Sequence, residues 1–224
     1  YTNEAFRWAF EAMEAKGLNP RSLKRLVVTS IINRDYQVAG KFLHYLDQTL
    51  FYRKWAKDHR LLIADTTLIN GHAELQEKRR LLMKNDFIAV NNAATIGFEK
   101  MLENNPDNRM AFEYLMASFL LRKDLDSFAA QIYRLKNLGY TKIPVHYEEA
   151  LVLYSGLSGK NVIPEGFVIS SATRKRFHEY AGIYAAHRYD MKQAARLLYS
   201  KFGGTFWFYM QFAGEGPDSK ETNN

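Results

Sequence analysis

The residues best suited to chemistry in this chain are few and widely spaced. His146-Tyr-Glu-Glu149 sets a histidine and a carboxylate one helical turn apart, a spacing at which the two side chains can share a metal ion. The run is not His-Glu-x-x-His, and no second histidine stands four residues on. It therefore reads as a helix start followed by a solvated acidic face. His44, His59, His72, His178 and His187 are scattered and form no recognisable triad. Ser155-Gly-Leu-Ser-Gly-Lys160 has the composition of a phosphate-binding loop, but a helix rather than a strand precedes it and the Walker spacing is missing. A flexible connector is the simpler reading. Gly203-Gly204 likewise lacks the strand-turn-helix setting of a nucleotide fingerprint.

Four basic clusters could collect phosphates if they shared a face: Arg21-Lys24-Arg25, Arg53-Lys54-Lys57, Lys78-Arg79-Arg80 and Arg174-Lys175-Arg176. Acidic neighbours such as Asp58, Glu74 and Glu77 make them the polar sides of amphipathic helices instead, so nucleic acid is not the expected partner. The aromatic run from Phe202 to Phe212, with Phe206, Trp207, Phe208 and Tyr209, is too short to span a bilayer. It reads as a terminal cap packed on the last hairpin, with a partner or membrane surface as the functional alternative.

Composition bounds the rest. The 224 residues are 47% hydrophobic and 14% aromatic, enough apolar material for a sizeable core. Lysine and arginine number 31 against 24 acidic residues, a net charge of +7 that permits attraction to acidic partners. The absence of cysteine removes disulfides, thiolate metal sites and cysteine nucleophiles together. No cofactor and no catalytic residue is expected. No apolar run approaches membrane-spanning length, and the chain opens on Tyr1 rather than Met, which reads as a piece of a longer precursor.

Helical periodicity must position these residues nearly everywhere. A first helix runs from Glu4 to Lys16 and stops at Gly17; a second starts at Asn19-Pro20 and carries Leu23, Leu26, Val27 and Ile31. Asn33 and Asp35 punctuate before a third with Tyr36, Ala39, Leu43 and Leu46, and a fourth lies near Phe51 to Ile63. Asp65 to Gly71 reads as a loop and a possible internal break within a single helical domain over 1–213. Helices follow over 72–84, 87–103 and 146–154, and the polar tail 214–224 is expected to be disordered.

A tetratricopeptide unit is a helix-turn-helix of about 34 residues with large and small side chains at fixed places. Laid on residues 75–108 and 109–142, that ruler places Ala94 and Phe98 in the first unit, and Phe112, Leu115, Phe119 and Ile132 in the second, with Asp124-Leu125 at the turn. Over 20–53 it picks out Leu23, Leu26, Ala39, Leu43 and the turn Asp35-Tyr36; over 175–208 it picks out Gly182, Ala194 and Leu198. Met116 and Phe128 are bulky where the two helices of a unit approach, so that pair must splay or shift. The chain thus resembles tetratricopeptide proteins in a degenerate form. The expectation is an all-α, TPR-like solenoid of antiparallel hairpins.

A narrower resemblance rests on NNPDNRMAFEYLMASFLL, on HYEEAL at 146–151 and on KFGGTFWFYMQF at 201–212. These runs are similar to an uncharacterised family of Bacteroides-type integral membrane proteins with a C-terminal TPR-like soluble region. The resemblance implies that membrane attachment comes only from N-terminal segments absent here, that the soluble region faces the extracytoplasmic side, and that no activity is carried over. The leading expectation is a noncatalytic scaffold that binds a protein or peptide. In tetratricopeptide arrays the first helix of each unit faces the groove, which makes Arg21, Lys24, Arg25, Arg109, Glu113 and Arg122 the candidates to clamp an acidic segment. The alternative is a glycan-binding or glycan-processing accessory domain, with Trp55 or Tyr154 stacking on sugar and Glu148 and Glu149 as acid and base.

Overall fold

Asn19 opens the second helix as the sequence demands: its side-chain oxygen accepts the backbone N–H of Ser22 at 2.9 Å, and Pro20 takes the first helical position, where its missing N–H costs nothing. The computed structural model describes residues 2–83 and 94–212, apart from the side chain of Ala94. The expectations for Phe87, for the Ala94 side chain and for the tail 214–224 lie outside those residues. The described chain is helical, with no strand. It divides into two units, Tyr1–Pro106 and Asp107–Asn224.

In the first unit, α1 (Thr2–Lys16) ends at Gly17, whose φ of +75° is the left-handed stop that glycine adopts without strain. Next come α2 (Pro20–Ile32), α3 (Tyr36–Asp47), α4 (Arg53–Ala64), the 3-10 helix η1 (Thr66–Gly71), α5 (Ala73–Arg80) and α6 (Ala94–Asn104). α2 is the hub and packs on α1, α3 and α5. Leu26, Val27, Ile31, Leu43 and Leu46 are fully buried there. The segment over 65–71, expected as a loop, is helical at η1. Asp65 caps η1 by accepting the Thr67 N–H, and Ile69 is fully buried in the same core.

The second unit holds α7 (Arg109–Leu121), α8 (Leu125–Gln131), the 3-10 helix η2 (Ile132–Leu135), α9 (Val145–Ser158), α10 (Ser171–Ala186), α11 (Met191–Phe202) and α12 (Phe206–Phe212). Each of α8 to α12 packs on its predecessor, and α12 also returns to α9. The expected connector over 155–160 is mostly the last turn of α9, which Gly159 ends at a φ of +70°.

The α2–α3 and α7–α8 hairpins share one design. Asn19 and Asn108 each cap the first helix through their side chains. At the turns, Asp35 N–H donates to the Ser30 carbonyl and Asp124 N–H to the Phe119 carbonyl, at 2.8 and 2.9 Å. Arg34 and Lys123 occupy the same left-handed place, with φ of +66° and +60°. Equivalent positions are buried in both: Leu23 and Phe112, Leu26 and Leu115, Leu43 and Ile132, Leu46 and Leu135. Val27 and Ala39 in the first, and Met116 and Phe128 in the second, are fully buried at equivalent places in the two hairpins.

The ruler fits elsewhere less well. α5 stops at Arg80, short of a full first helix, and Gly182, assigned to a close-approach position, is exposed. Ala194 and Leu198 are fully buried as expected, and Asp190 caps α11 by accepting the Gln193 N–H. One stability test follows from the shared turn. Arg34 is exposed and left-handed, so Arg34→Gly should raise the unfolding free energy by about 0.5–1 kcal/mol in a urea titration, because glycine pays no Cβ penalty there.

Candidate functional site

Three of the six sequence candidates line one groove in the first unit. Asn19 and Pro20 fix the start of α2, and helical spacing then sets Arg21, Lys24, Arg25 and Val28 along one stripe. Tyr52, Trp55 and His59 form the facing stripe at the start of α4, and His72, Glu74 and Leu75 close one end at the start of α5. The space enclosed is about 550 Å³.

The groove is cationic above and aromatic below. Lys24 Nζ lies 5.2 Å from the ring centres of both Tyr52 and Trp55, a placement in which the ring faces attract the ammonium. Trp55 stacks on His59 at 3.6 Å between centroids. His59 Nδ1–H donates to the Trp55 carbonyl at 3.0 Å, so its Nε2 carries the free lone pair. Burial pulls the His59 pKa below its ordinary value, and the charges of His72 and Lys24 pull the same way, against the Trp55 carbonyl and Asp58. Burial thus favours the neutral form of His59. His72 Nδ1 is the cap acceptor for the Leu75 N–H. The lining carboxylate, Glu74, is paired with Lys78 at 2.9 Å. Among the described residues no carboxylate forms an ion pair with Arg21, Lys24 or Arg25. The groove thus offers three cations over an aromatic floor, with the Glu74 carboxylate also on its lining and within the field of Arg25.

The other three candidates are not gathered in this way. Arg109 Nε donates to Glu113 Oε1 at 2.9 Å, Tyr140 Oη donates to the same oxygen at 2.6 Å, and the guanidinium sits 4.3 Å from the Tyr140 ring centre. Burial and the Glu113 carboxylate push the Tyr140 hydroxyl up to about 12, so it stays a donor. Arg109 and Glu113 therefore satisfy each other. Arg122 stands at the far end of α7, over Phe119 at 5.7 Å.

The acidic face expected at 146–149 is not solvated. Glu148 and Glu149 are both buried, and each holds the start of another helix. Glu148 accepts the backbone N–H and the hydroxyl of Ser170, and the hydroxyl of Thr173, at the start of α10. Glu149 accepts the Phe206 N–H at 2.8 Å at the start of α12, and pairs with His146 Nδ1 at 3.0 Å. The negative charge of a carboxylate suits the N–H-rich end of a helix. Tyr154, the other candidate for stacking on sugar beside Trp55, is buried as well. The described residues contain no cluster of three or more potential metal ligands.

The cap reading of the aromatic run fits what is seen. Phe206, Trp207, Phe208 and Phe212 are buried, Trp207 Nε1–H donates to the Glu149 carbonyl at 2.8 Å, and Tyr180 Oη donates to the Trp207 carbonyl. Sequence reasoning missed Tyr52, His59 and His72 as groove residues. The recurrence of Tyr52, Trp55 and His59 on one helical stripe was the available signal.

A family model described as a family of unknown function (DUF6057) matches residues 1–213. No curated protein matches the chain. No solved structure matches it either.

Proposed function

We propose, from the premise that the chain belongs to this family of unknown function (DUF6057), that it is a noncatalytic binding domain whose first unit clamps an acidic segment of a partner protein. The observation that carries this reading is the unpaired trio Arg21, Lys24 and Arg25 on one stripe of α2, facing Tyr52 and Trp55. Carboxylates of an extended peptide would take the guanidinium and ammonium donors, and its apolar stems would lie on the rings. Among the described residues these cations form no ion pair with a carboxylate, which leaves their donors disposed toward an anionic ligand.

In this reading the hairpins form a degenerate TPR-like array, supported by the shared turns of α2–α3 and α7–α8 and by the neighbour-to-neighbour packing from α8 to α12. The domain is the soluble part of a larger membrane-anchored protein, a view that rests on the resemblance of its sequence runs. No described helix is long and apolar enough to cross a membrane, so the anchor of this reading belongs to other segments.

The test is fluorescence anisotropy with a labelled peptide of alternating Asp/Glu and Gly/Ser. Wild type should bind, and affinity should drop several-fold between about 50 mM and about 300 mM salt, since exposed charges are screened within about 10 Å. The R21E/R25E variant should lose roughly 30-fold, about 2 kcal/mol, with unchanged helicity by circular dichroism. Equal binding by wild type and variant would remove the groove from the proposal.

A further inference from the structure

The turn between α3 and α4 breaks the usual chemistry of turns. Such connections favour Gly, Pro, Asn, Asp and Ser, yet Leu50 and Phe51 stand side by side at this tip, 85% and 89% exposed. Among the described residues no other two consecutive residues are both large, apolar and this exposed; Val168 and Tyr189 have no such neighbour. The exposure is built in. Thr49 Oγ1 donates to the Leu46 carbonyl at 2.7 Å and accepts the Tyr52 N–H at 3.2 Å, which ties both ends of the turn and leaves Leu50 and Phe51 outside.

Charge surrounds this apolar tip on one side only. Arg53, Lys54 and Lys57 follow within two turns of α4, all exposed, no acidic residue occurs from Gln48 to Lys57, and one exposed carboxylate, Asp58, comes next. Asp47, the nearest carboxylate before the turn, is paired with Arg60 at 3.6 Å. Arg53 Nε donates to the Asp47 carbonyl, which holds its guanidinium beside the turn. Lys54 and Lys57 have no carboxylate partner among the described residues. Tyr52, Trp55 and His59 occupy a different stripe of α4 and line the groove, so the tip and the groove are separate surfaces.

We propose that the α3–α4 turn is a membrane-contacting wedge, in which Leu50 and Phe51 enter the acyl boundary of an anionic bilayer while Arg53, Lys54 and Lys57 pair with lipid phosphates. Two large apolar side chains with three cations on one flank match the layered chemistry of that interface, apolar below and phosphate above. A greasy pocket on a protein would accept the same two side chains, whereas three exposed cations beside them, outnumbering the exposed Asp58, also match a phosphate layer. So small a wedge gives reversible, salt-sensitive attachment.

Vesicle sedimentation of the whole chain tests this. Wild type should pellet with phosphatidylcholine vesicles containing about 30 mol% phosphatidylserine and not with phosphatidylcholine alone, because the polybasic contribution needs anionic lipid. L50S/F51S and K54E/K57E should each reduce the bound fraction at least five-fold, while both still bind the acidic peptide. Phe51→Trp, compared with wild type, should gain a fluorescence component quenched by brominated acyl chains. The proposal is overturned if wild type ignores anionic vesicles, if L50S/F51S binds them like wild type, or if L50S/F51S lowers the thermal midpoint sharply, which would show the pair to be packed. Concentration-dependent dimerisation that L50S/F51S abolishes, without vesicle binding, would assign the turn to a protein contact and overturn it equally.

Discussion

Trp207→Ala is expected to cost the second unit about 3–5 kcal/mol, the range for removing a large aromatic side chain from a packed interior. Trp207 is 1% exposed and packs on Phe177 and Tyr180, with centroids 5.1 and 5.9 Å away. Three losses coincide in the alanine variant: apolar area returned to water on unfolding, a cavity that α9, α10 and α12 cannot all close, and the hydrogen bond from Nε1 to the Glu149 carbonyl. Trp207→Phe separates them. It keeps most of the bulk and drops the N–H, and should cost only about 1–2 kcal/mol. Hydrogen exchange read by mass spectrometry gives the location. Protection should fall in α9, α10 and α11 and stay unchanged in α2 and α3. Uniform loss over both regions would mean that Trp207 does not act within its own unit.

Glu148→Ala should cost about 1–3 kcal/mol at pH 7, because it removes the acceptor of the buried Thr173 hydroxyl and of the Ser170 hydroxyl and N–H at the start of α10. The pH dependence carries the sharper signature. Burial alone would push the Glu148 pKa up, but the hydrogen bonds from Thr173 and Ser170, with the charge of Arg174, outweigh it and hold the pKa below its ordinary 4.5. A carboxyl whose folded pKa is depressed contributes stability that is fully present above the unfolded value and disappears as pH falls through the folded one. The wild type should therefore be most favoured over Glu148→Gln near neutral pH, and the gap should narrow below about pH 4.5. Urea titrations of both proteins at several pH values would check it. A gap that is constant from pH 7 to pH 3 would show that the carboxylate charge plays no part in capping α10.

Much of the helical architecture was legible because its causes are local. Asn19-Pro20 and Asn108 announce helix starts through side-chain capping, and Asp35 and Asp124 mark turns whose bonds span only a few residues. Periodicity then placed Leu26, Leu43, Leu115 and Ile132 inside. The cations of α2 were readable for the same reason, since their spacing alone puts them on one stripe. Which stripe of α4 meets α2, and that His72 at the start of α5 closes the groove, depends on contacts between distant segments, and no local pattern encodes them. Glu148 and Glu149 show the opposite failure. A pair of adjacent carboxylates on a helix looks solvated, and their partners Ser170, Thr173 and the Phe206 N–H lie 22, 25 and 57 residues away.

The return of α12 onto α9 has a consequence for the order of assembly. α9, α10 and α11 can each settle on the neighbour that precedes them as the ribosome delivers them, but the side of α9 that receives Phe206 and Trp207 stays bare until α12 has been made. Until then the nascent polypeptide exposes a greasy strip beside a Glu149 carboxylate that still lacks the Phe206 N–H, the period in which chaperone capture and misassociation compete with completion. The last helix thus acts as a closing stitch, and a chain cut before Phe206 should be recognised by the cell as unfinished.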